Sequence, residues 1–327
     1  MRAITLKNFG GPEVLTLSNN LPQPLPADEQ LLVNVKAFAL NRADILQRRG
    51  KYPPPAGESD ILGIEIAGDI VAMGKNVSGF GIGERVFGLV GSGAYAEYCL
   101  LDQGMAMPIP EKLSYVEAAA IPEAFLTAQE AIFSLGELKE NEKILIHAGG
   151  SGVGSAAIQL ARQMHATIFT TTGTAAKKPK IKAFGADYIL NYKEENFCDD
   201  ILKLTHDEGV NVIVDFIGAK YLAQHLQILQ PWGRLILVGL MGGSKTEIDL
   251  SRIQSGRLQI KGLAMRARPL SEKRELTQRF MKKWLPLVIN GTLKPVVDHV
   301  FAFDEIRSAH EYMENNLNIG KIIVEIQ

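Results

Sequence analysis

A glycine-rich turn in the middle of the chain has the residue types and spacing that bind phosphate groups. The apolar run 144–146 leads through this turn into an amphipathic pattern that continues to Met164. Gly152 and Gly154 have no Cβ, so the backbone can turn sharply and a pyrophosphate can lie against the first amides of the helix, where the helix dipole favours anions. Residues Ser151, Gly152, Val153 and Gly154 are therefore predicted to contact a dinucleotide. Glycines also close ordinary loops, and only the strand on one side and the helix on the other favour the binding interpretation.

The segment about 20 residues beyond the glycines indicates which dinucleotide is bound. In an NAD-specific site an Asp or Glu there accepts a hydrogen bond from the ribose 2′-hydroxyl. No acid occurs from 143 to 186, and the expected position holds Thr172-Gly173-Thr174, followed by Lys177 and Lys178. Hydroxyl and ammonium groups suit a 2′-phosphate, although lysines at an exposed helix start are often only solvated. The missing acid therefore predicts NADPH.

Strand and helix patterns alternate from Pro122 onward. Strands are predicted near 143–148, 166–172, 187–190, 211–216, 233–239 and 258–264, and helices near 152–165, 175–184, 195–207 and 219–229. This order predicts a doubly wound parallel sheet. Ligands bind outside the carboxyl ends of such strands, so the residues at those ends, Phe216, Leu240, Met241, Leu263 and Met265, are expected at the same crevice, with core packing as the alternative for the apolar ones.

The first 122 residues are mainly of β type. Strand-like runs occur at 3–6, 30–39, 63–71, 83–89 and 94–101, separated by glycine and proline turns, and predict a barrel-like unit. A short helix at 41–50 interrupts them, and the stiff loop Tyr52-Pro53-Pro54-Pro55 that follows could form the wall of a cleft. Near the other end, a helical stretch at 271–289 precedes a strand-like run at 295–303, a helix at 304–315 and a strand at 321–326.

Composition and charge argue against several classes of function. The chain has 327 residues, a net charge of −1 and 46% hydrophobic residues, so no charge surplus attracts nucleic acid or an anionic membrane. No apolar run approaches the roughly 18 residues that a membrane span needs, and a cytoplasmic location is expected. The two cysteines and six histidines lack metal-site spacing, so no metal is predicted.

Several motifs together resemble a known family. They are Ala39-Leu40-Asn41-Arg42-Ala43-Asp44, Gly63-Ile64-Glu65-Ile66-Ala67-Gly68, Gly83-Glu84-Arg85-Val86, Gly93-Ala94-Tyr95-Ala96-Glu97, the glycine turn and Asn318-Ile319-Gly320-Lys321. With them the chain resembles zinc-free medium-chain dehydrogenases/reductases, in particular NADPH quinone oxidoreductases related to zeta-crystallin and their tumour-suppressor-inducible subgroup. The resemblance implies an α/β fold with a GroES-like β-barrel catalytic domain at 1–122, completed by 271–327, and a doubly wound Rossmann dinucleotide-binding domain for NADPH at 123–270.

The resemblance also implies roles for individual residues. Zinc-dependent relatives bind their metal at the positions that hold Asn41, Ile64 and Glu123 here, and isoleucine cannot ligate a metal. The implied cofactor contacts are Thr127, Gly173, Thr174, Lys177, Tyr192, Asn318 and Lys321, and the implied catalytic residues near nicotinamide and substrate are Asn41 and Tyr52. Purely structural alternatives are a helix cap for Asn41, a packed ring for Tyr52, a helix-interior hydroxyl for Thr127 and a local turn for Asn318 and Lys321.

A metal-free site suits hydride transfer to an acceptor that is already electrophilic. Without a Lewis acid, oxidation of a simple alcohol loses its usual activation, whereas a quinone can take a hydride directly and then a proton from water. The predicted function is an NADPH-dependent reduction of a small quinone. Alternatives are reduction of an enal or enone double bond, and a non-catalytic NADPH-binding protein with a crystallin-like or RNA-binding role. A homodimer is expected from the family, with the last sheet strand, at 258–263, as the pairing edge.

Overall fold

The computed structural model describes residues 1–327, which divide into two compact units. Unit 1 consists of Met1–Leu126 and Arg266–Gln327, and unit 2 of Thr127–Met265. The domain boundaries predicted from the sequence are 122/123 and 270/271, and the compact units divide at 126/127 and 265/266. No helix of the chain combines the length and the apolar character needed to cross a membrane.

The chain forms fifteen strands and eleven α-helices. The strands are β1 (Ala3–Leu6), β2 (Leu15–Ser18), β3 (Gln30–Ala39), β4 (Glu65–Met73), β5 (Arg85–Leu89), β6 (Tyr98–Asp102), β7 (Ala106–Pro108), β8 (Lys143–Ile146), β9 (Thr167–Thr172), β10 (Tyr188–Asn191), β11 (Val210–Asp215), β12 (Leu229–Leu237), β13 (Gln259–Gly262), β14 (Val297–Ala302) and β15 (Lys321–Glu325). The helices are α1 (Arg42–Arg48), α2 (Tyr115–Ala119), α3 (Pro122–Gln129), α4 (Gly152–Arg162), α5 (Lys178–Ala183), α6 (Phe197–Leu204), α7 (Leu222–Ile228), α8 (Leu250–Gly256), α9 (Leu270–Lys283), α10 (Leu285–Ile289) and α11 (Ile306–Glu314). A π-helical segment, Glu130–Leu135, follows α3, and 3₁₀ turns occur at Pro12–Val14, Ala175–Lys177, Ala219–Tyr221 and Phe303–Glu305.

Unit 1 is built on a seven-stranded sheet of order β14-β15-β3-β4-β5-β7, with β6 also paired to β3. The pairing of β15 with β3 is antiparallel, with Ile323 opposite Ala39. This pairing places the last strand of the chain beside one of the first. The C-terminal segment therefore completes the N-terminal unit, as the family resemblance implied, and the start of β15 lies close to the end of β3.

Unit 2 contains a six-stranded parallel sheet of order β10-β9-β8-β11-β12-β13. Its central strands are apolar and buried on both faces, as in Ile144, Leu145 and Ile146, because helices cover a parallel sheet on both sides. The order of strands reverses direction between β8 and β11. Parallel strands end at the same edge of a sheet, so the glycine turn after β8 and the segments after β9, β11, β12 and β13 all lie at the carboxyl edge.

Five elements, β2, β7, α2, α3 and α8, and the π-helical segment after α3 were not predicted. The helix α8 is seven residues long, and its only large apolar residues are Leu250 and Ile253, too few for an amphipathic pattern to be recognised. The strand β7 is only three residues long and ends in Pro108, and the pairing with β5 defines it. Elements of this size are stabilised by their neighbours in the fold more than by their own residue pattern.

Candidate functional site

The glycine turn of unit 2 is held by its own hydrogen bonds and by the absence of a side chain at Gly154. Ser151 caps α4, and its hydroxyl accepts a hydrogen bond from the backbone N–H of Gly154 at 2.9 Å. A Cβ on Gly154 would lie 2.2 Å from the carbonyl oxygen of Ala148, so the helix can start this close to the turn only with glycine there. The first turn of α4, which carries Gly152 and Val153, is therefore packed directly against the turn, as a pyrophosphate cradle requires.

The end of β9 brings together the residues predicted for the 2′-phosphate. A Cβ on Gly173 would lie 2.5 Å from the hydroxyl oxygen of Tyr192, so only glycine lets that ring approach the strand end. The backbone N–H of Tyr192 donates to the carbonyl of Thr172 at 3.1 Å. The stem of Lys177 lies beside the glycine turn, with its Cδ 3.5 Å from the place where Gly150 would carry a Cβ. Two predicted residues, Lys177 and Tyr192, thus flank this strand end.

Thr174 and Lys178 form hydrogen bonds to other groups of the protein. The Thr174 hydroxyl accepts a weak hydrogen bond from the backbone N–H of Ala176 at 3.4 Å and caps the short turn that carries Lys177. The ammonium of Lys178 donates to Glu195 at 3.0 Å. The sequence interpretation treated both lysines as possible phosphate donors, whereas in the fold the charge of Lys178 is balanced by a carboxylate.

The other strand ends divide into exposed and buried residues. Leu240 and Met241 are 54% and 60% exposed, and the N–H of Met241 donates to the carbonyl of Phe216 at 3.1 Å. Leu263 and Met265 are instead buried, which agrees with the core alternative stated for apolar residues at these ends. Thr127 is buried within α3. Roles in cofactor binding stay predictions for all of these residues.

A buried chain of polar groups, which the sequence did not reveal, supports the glycine turn. His147 Nδ1 lies 2.9 Å from the Thr171 hydroxyl, and its Nε2 lies 2.8 Å from Nε2 of His225. Nδ1 of His225 faces the carboxylate of Asp215 at 3.8 Å. The Thr171 hydroxyl also accepts from the N–H of Ala148 at 3.3 Å. The chain thereby connects the end of β11 to the turn itself.

Burial keeps the two histidines of this chain neutral. It lowers the pKa of His147 well below 6.5, with a contribution from His225, and it lowers the pKa of His225 to about 3. Burial also raises the pKa of Asp215 to about 6. Two facing Nε2 atoms need one donor and one acceptor, and two neutral rings supply them. Although His147, His225 and Asp215 lie close enough together to hold a metal ion, both Nε2 atoms are already used in a hydrogen bond to each other.

In unit 1, Asn41 lies at the start of α1 and is held by an ion pair. Its side-chain Nδ2 donates to Glu65 at 2.7 Å, and its Oδ1 accepts from the ammonium of Lys321 at 2.7 Å. Lys321 also donates to Glu65 at 2.6 Å. The three residues form a closed buried ring, so the amide of Asn41 is oriented by Lys321 and Glu65. Lys321 was predicted to contact the cofactor, and this structure gives its ammonium other partners; Asn318 donates to the carbonyl of Gly320 at 2.7 Å.

A second buried chain fixes α1 to α11. The hydroxyl of Tyr95 donates to Asp44 at 3.0 Å and lies 3.1 Å from Nε2 of His310. Nδ1 of His310 lies 3.0 Å from Arg48, which also pairs with Glu314. Burial lowers the pKa of His310 to about 3 and raises the pKa of Asp44 to about 6. Asp44 also accepts from the backbone N–H of Asn41 at 2.8 Å, so this chain holds the N-terminus of α1 in place.

Tyr52 lies beside Arg266, a residue that sequence reasoning missed. The guanidinium is 5.3 Å from the centre of the Tyr52 ring, and it donates to the carbonyls of Gly91 at 2.9 Å and Tyr52 at 3.4 Å. Its Nη2 is buried and has no hydrogen-bond partner. Burial, and then the negative charge of Glu123, raise the pKa of Tyr52, which keeps the phenol neutral. An aromatic ring next to a guanidinium charge can bind a flat molecule by one face and attract an oxygen atom that carries partial negative charge.

Comparisons with known proteins place the chain in a family. Residues 27–111 match the alcohol dehydrogenase GroES-like domain, and residues 152–282 match the zinc-binding dehydrogenase family. The chain is 33% identical over 312 residues to quinone oxidoreductase from Homo sapiens, across 95% of this chain and 93% of that protein. It belongs to the medium-chain dehydrogenase/reductase family. The predicted fold class, a GroES-like domain plus a Rossmann sheet, is thereby confirmed, and this family member is an oxidoreductase.

Solved structures of the same medium-chain fold come from enzymes with different named activities. Escherichia coli quinone oxidoreductase complexed with NADPH has a TM-score of 0.90 and 28% identity, covering 99% of this chain and 100% of that chain. CurK enoyl reductase has a TM-score of 0.88 and 26% identity, covering 100% of this chain and 99% of that chain. The fold is therefore shared between quinone and enoyl reductases, and site residues have to distinguish them.

The name of the family matched by residues 152–282 implies zinc. The residues at the corresponding positions of this protein do not fit that metal. Of the three positions that ligate zinc in metal-dependent relatives, Ile64 has no donor atom, and the Asn41 oxygen is bound to the Lys321 ammonium. Zinc prefers thiolate and imidazole donors and would meet a positive charge here.

Proposed function

We propose that this protein is an NADPH-dependent quinone oxidoreductase that works without a metal. The observation that carries the acceptor class is the guanidinium of Arg266, which lies 5.3 Å from the centre of the Tyr52 ring. A quinone offers a flat face to the ring and a carbonyl oxygen to the guanidinium. The relatives named as quinone oxidoreductases support the same acceptor class.

Three features of unit 2 support NADPH as the reductant. The glycine turn is packed as a pyrophosphate cradle requires, since Gly154 has no room for a Cβ. The segment after β9 carries no acid that would repel a 2′-phosphate, and Lys177 and Tyr192 lie beside it. When bound, NADPH supplies the hydride. The NADPH complex of the Escherichia coli enzyme supports this choice of cofactor.

The residues of unit 1 would bind and polarise the acceptor. Tyr52 would orient the quinone by its face, and the positive charge of Arg266 would stabilise the oxygen on which negative charge develops. The charge of the guanidinium persists at neutral pH even though burial lowers the pKa of Arg266. Water would supply the proton, so no general acid of the protein is required.

The proposed function is tested by the oxidation of NADPH in the presence of ortho- and para-quinones, with NADH in parallel. We expect turnover with NADPH and little with NADH. Saturable NADPH binding without turnover of any quinone would contradict the proposed acceptor and favour a non-catalytic binding protein. A preference for NADH would contradict the role given to Gly173, Thr174 and Lys177.

Reduction of an activated double bond is the second candidate. The likeness to CurK enoyl reductase favours it, and a guanidinium beside a ring would also hold the carbonyl of an enal or enone. Relative kcat/KM for an ortho-quinone and an alkenal of similar size distinguishes the two. A higher kcat/KM for the alkenal would mean that the acceptor is an activated double bond and not a quinone.

We also propose that the protein is a cytoplasmic homodimer. The strand β13 is the last of the six-stranded sheet, and Gln259, Ile260 and Gly262 on it are exposed. An open edge strand offers unpaired N–H and C=O groups to a second copy. Light scattering should give twice the mass of 35.8 kDa, and Ile260→Lys should shift the mass toward the monomer. A monomeric wild-type protein at micromolar concentration would refute this proposal.

A further inference from the structure

A chain of four buried polar residues crosses the carboxyl edge of the parallel sheet: Thr171, His147, His225 and Asp215. At one end, the Thr171 hydroxyl accepts from the N–H of Ala148 in the glycine turn at 3.3 Å. At the other end, the Asp215 carboxylate accepts from the backbone N–H groups of residues 217 and 218, each at 2.8 Å. The glycine turn is predicted to bind the pyrophosphate, and the turn at 216–218 carries another predicted cofactor contact. The chain therefore joins two turns that belong to different parts of one dinucleotide site.

The Thr171 hydroxyl indicates the direction of the hydrogen bonds along this chain. Its oxygen accepts from Ala148, and the acceptor available to its own hydrogen is Nδ1 of His147, at 2.9 Å. Buried hydroxyls donate their hydrogen, so Nδ1 is the acceptor and the proton of this neutral ring is on Nε2. That Nε2 lies 2.8 Å from Nε2 of His225 and donates to it. The proton of His225 is consequently on Nδ1.

The carboxylate at the other end selects the same direction. Nδ1 of His225 has no hydrogen-bond partner and lies 3.8 Å from the carboxylate of Asp215. Burial raises the pKa of Asp215 only to about 6, so this group is ionised at neutral pH. In a buried site a carboxylate attracts an N–H group and repels a nitrogen lone pair. The opposite direction would place a lone pair there and would leave the Thr171 hydrogen without an acceptor.

The surroundings of the histidine pair keep its hydrogen bonds away from water. The rings of Phe197 and Tyr221 pack against His147, with centroids 5.1 and 5.3 Å from that of the imidazole. Both histidines are fully buried. Hydrogen bonds in such an interior strengthen one another, and a neutral imidazole has one donor and one acceptor nitrogen. Reversal of one bond would thus require reversal of the others, so the chain acts as a unit.

We propose that His147 and His225 are positioning residues that link the two cofactor-binding turns through hydrogen bonds running from Thr171 towards Asp215. Both are fully buried, so they contact no ligand themselves. The link keeps the glycine turn and the turn at 216–218 in the relative position that lets both bind the same dinucleotide. The inference rests on the proposed binding of NADPH.

The direction of the chain can be measured without any ligand, on the full chain with nitrogen-15 in its histidines. Long-range proton–nitrogen correlation distinguishes the protonated from the unprotonated ring nitrogen of a neutral histidine. At neutral pH we expect the proton on Nε2 of His147 and on Nδ1 of His225. The signals of His225 are identified by their loss in His225→Gln. The opposite tautomer in either ring, or a charged ring, would overturn the proposal.

The variant His225→Leu removes the link without changing a residue of either turn. The dissociation constant of NADPH should rise about fivefold or more, because the two turns no longer hold their relative position. Adenosine 2′-monophosphate, which carries neither the pyrophosphate nor the nicotinamide, should bind within about twofold of the wild type. Calorimetric titration of the folded variant measures both. An equal rise for the two ligands, or no rise for NADPH, would overturn the link.

Thr170→Val is the matched control for the loss of a buried hydrogen bond. Thr170 precedes Thr171 on β9 and is also buried, but its hydroxyl donates to the Ile146 carbonyl at 2.6 Å. This variant should lose stability and keep both the histidine tautomers and the ratio of the two dissociation constants. The same change of ratio as in His225→Leu would overturn the link. A wild type that binds no NADPH would refute the proposed cofactor, whereas the ligand-free tautomers would still decide the direction of the chain.

Discussion

Single side chains decide what each part of the candidate site can do. In the sequence, Asn41 was a candidate to orient the acceptor and Lys321 a candidate to contact the cofactor. In the fold they hold each other, and the guanidinium of Arg266 lies beside Tyr52. The proposed polar contact with the acceptor therefore shifts from the Asn41 amide to the Arg266 guanidinium, while the Tyr52 ring keeps the role that the sequence indicated.

Tyr52→Ala should raise KM for quinones by about fivefold, because a buried ring face is worth on the order of 1 kcal/mol in stacking. Tyr52→Phe keeps the ring above which Arg266 lies and should leave KM within about twofold. Steady-state kinetics with several quinones measures both. Equal kinetics for the Ala variant and the wild type would remove Tyr52 from the acceptor site.

Lys177→Met should raise KM for NADPH by about ten- to hundredfold, since a charge-assisted hydrogen bond to the 2′-phosphate is lost. KM for NADH should not change, because NADH has no phosphate there. Lys182→Met is the matched control: Lys182 also belongs to this lysine-rich segment, and its ammonium donates to the Asp187 carbonyl at 3.0 Å. If both substitutions raise KM for NADPH by a similar factor, NADPH binding depends on the overall positive charge of the segment and not on Lys177 in particular.

The junction of β8 and α4 shows how an element prepares a binding site. A helix of eleven residues begins against a carbonyl of the preceding turn, and a capping serine and a buried histidine pair hold that geometry. Ala148 has a φ of +51°, a region that L residues other than glycine seldom adopt, and its N–H donates to Thr171. The turn is thus stabilised by the strands on both sides of it.

Gly154→Ala should lower the melting temperature and weaken NADPH binding, because the added Cβ would lie 2.2 Å from the Ala148 carbonyl oxygen and push the helix away from the turn. Overpacking of this kind costs about 1–3 kcal/mol. Gly150→Ala is the matched control, since its Cβ would meet only side-chain carbons at 3.5 and 3.6 Å. If Gly150→Ala proves as damaging as Gly154→Ala, close helix packing is not the cause.

Buried titratable groups couple the stability of the whole molecule to pH. His147, His225 and His310 are fully buried, and burial holds the pKa of each below the ordinary 6.5. In the unfolded chain these histidines take up protons as the pH falls through 6.5, so their contribution to stability is lost on acidification. Asp44 and Asp215 act oppositely, because burial raises the pKa of each from 3.8 to about 6 and folding then favours their protonated forms.

Between pH 4.5 and 6 the unfolded chain binds about three more protons than the folded protein at the histidines and about two fewer at the aspartates. The net difference is about one proton. The free energy of unfolding should therefore fall by about 1.4 kcal/mol for each pH unit of acidification in this range. His225→Gln removes one histidine, so the slope should become nearly flat. Urea unfolding at several pH values measures both slopes, and an unchanged slope in the variant would show that His225 is already charged in the folded protein.

Local patterns in the sequence were sufficient for much of the fold and for locating the glycine turn of the candidate site. The glycine turn, the alternation of strands and helices and the missing acid after β9 depend on contiguous residues, because backbone conformation and amphipathic spacing are local properties. The short elements β7 and α8 escaped prediction because their own residues carry little of this information. The absence of zinc donors at 41 and 64 could also be read directly from residue types.

The partners of the buried polar groups were decided only by the tertiary structure. Lys321 and Glu65 are 256 residues apart, and the antiparallel pairing of β15 with β3 places the lysine beside Asn41. The contact of His147 with His225, and that of Arg266 with Tyr52, likewise join distant segments. A sequence shows which groups are able to ionise or to donate a hydrogen bond. Strand pairing and burial determine which of them meet, and the low dielectric of the interior then sets their charge.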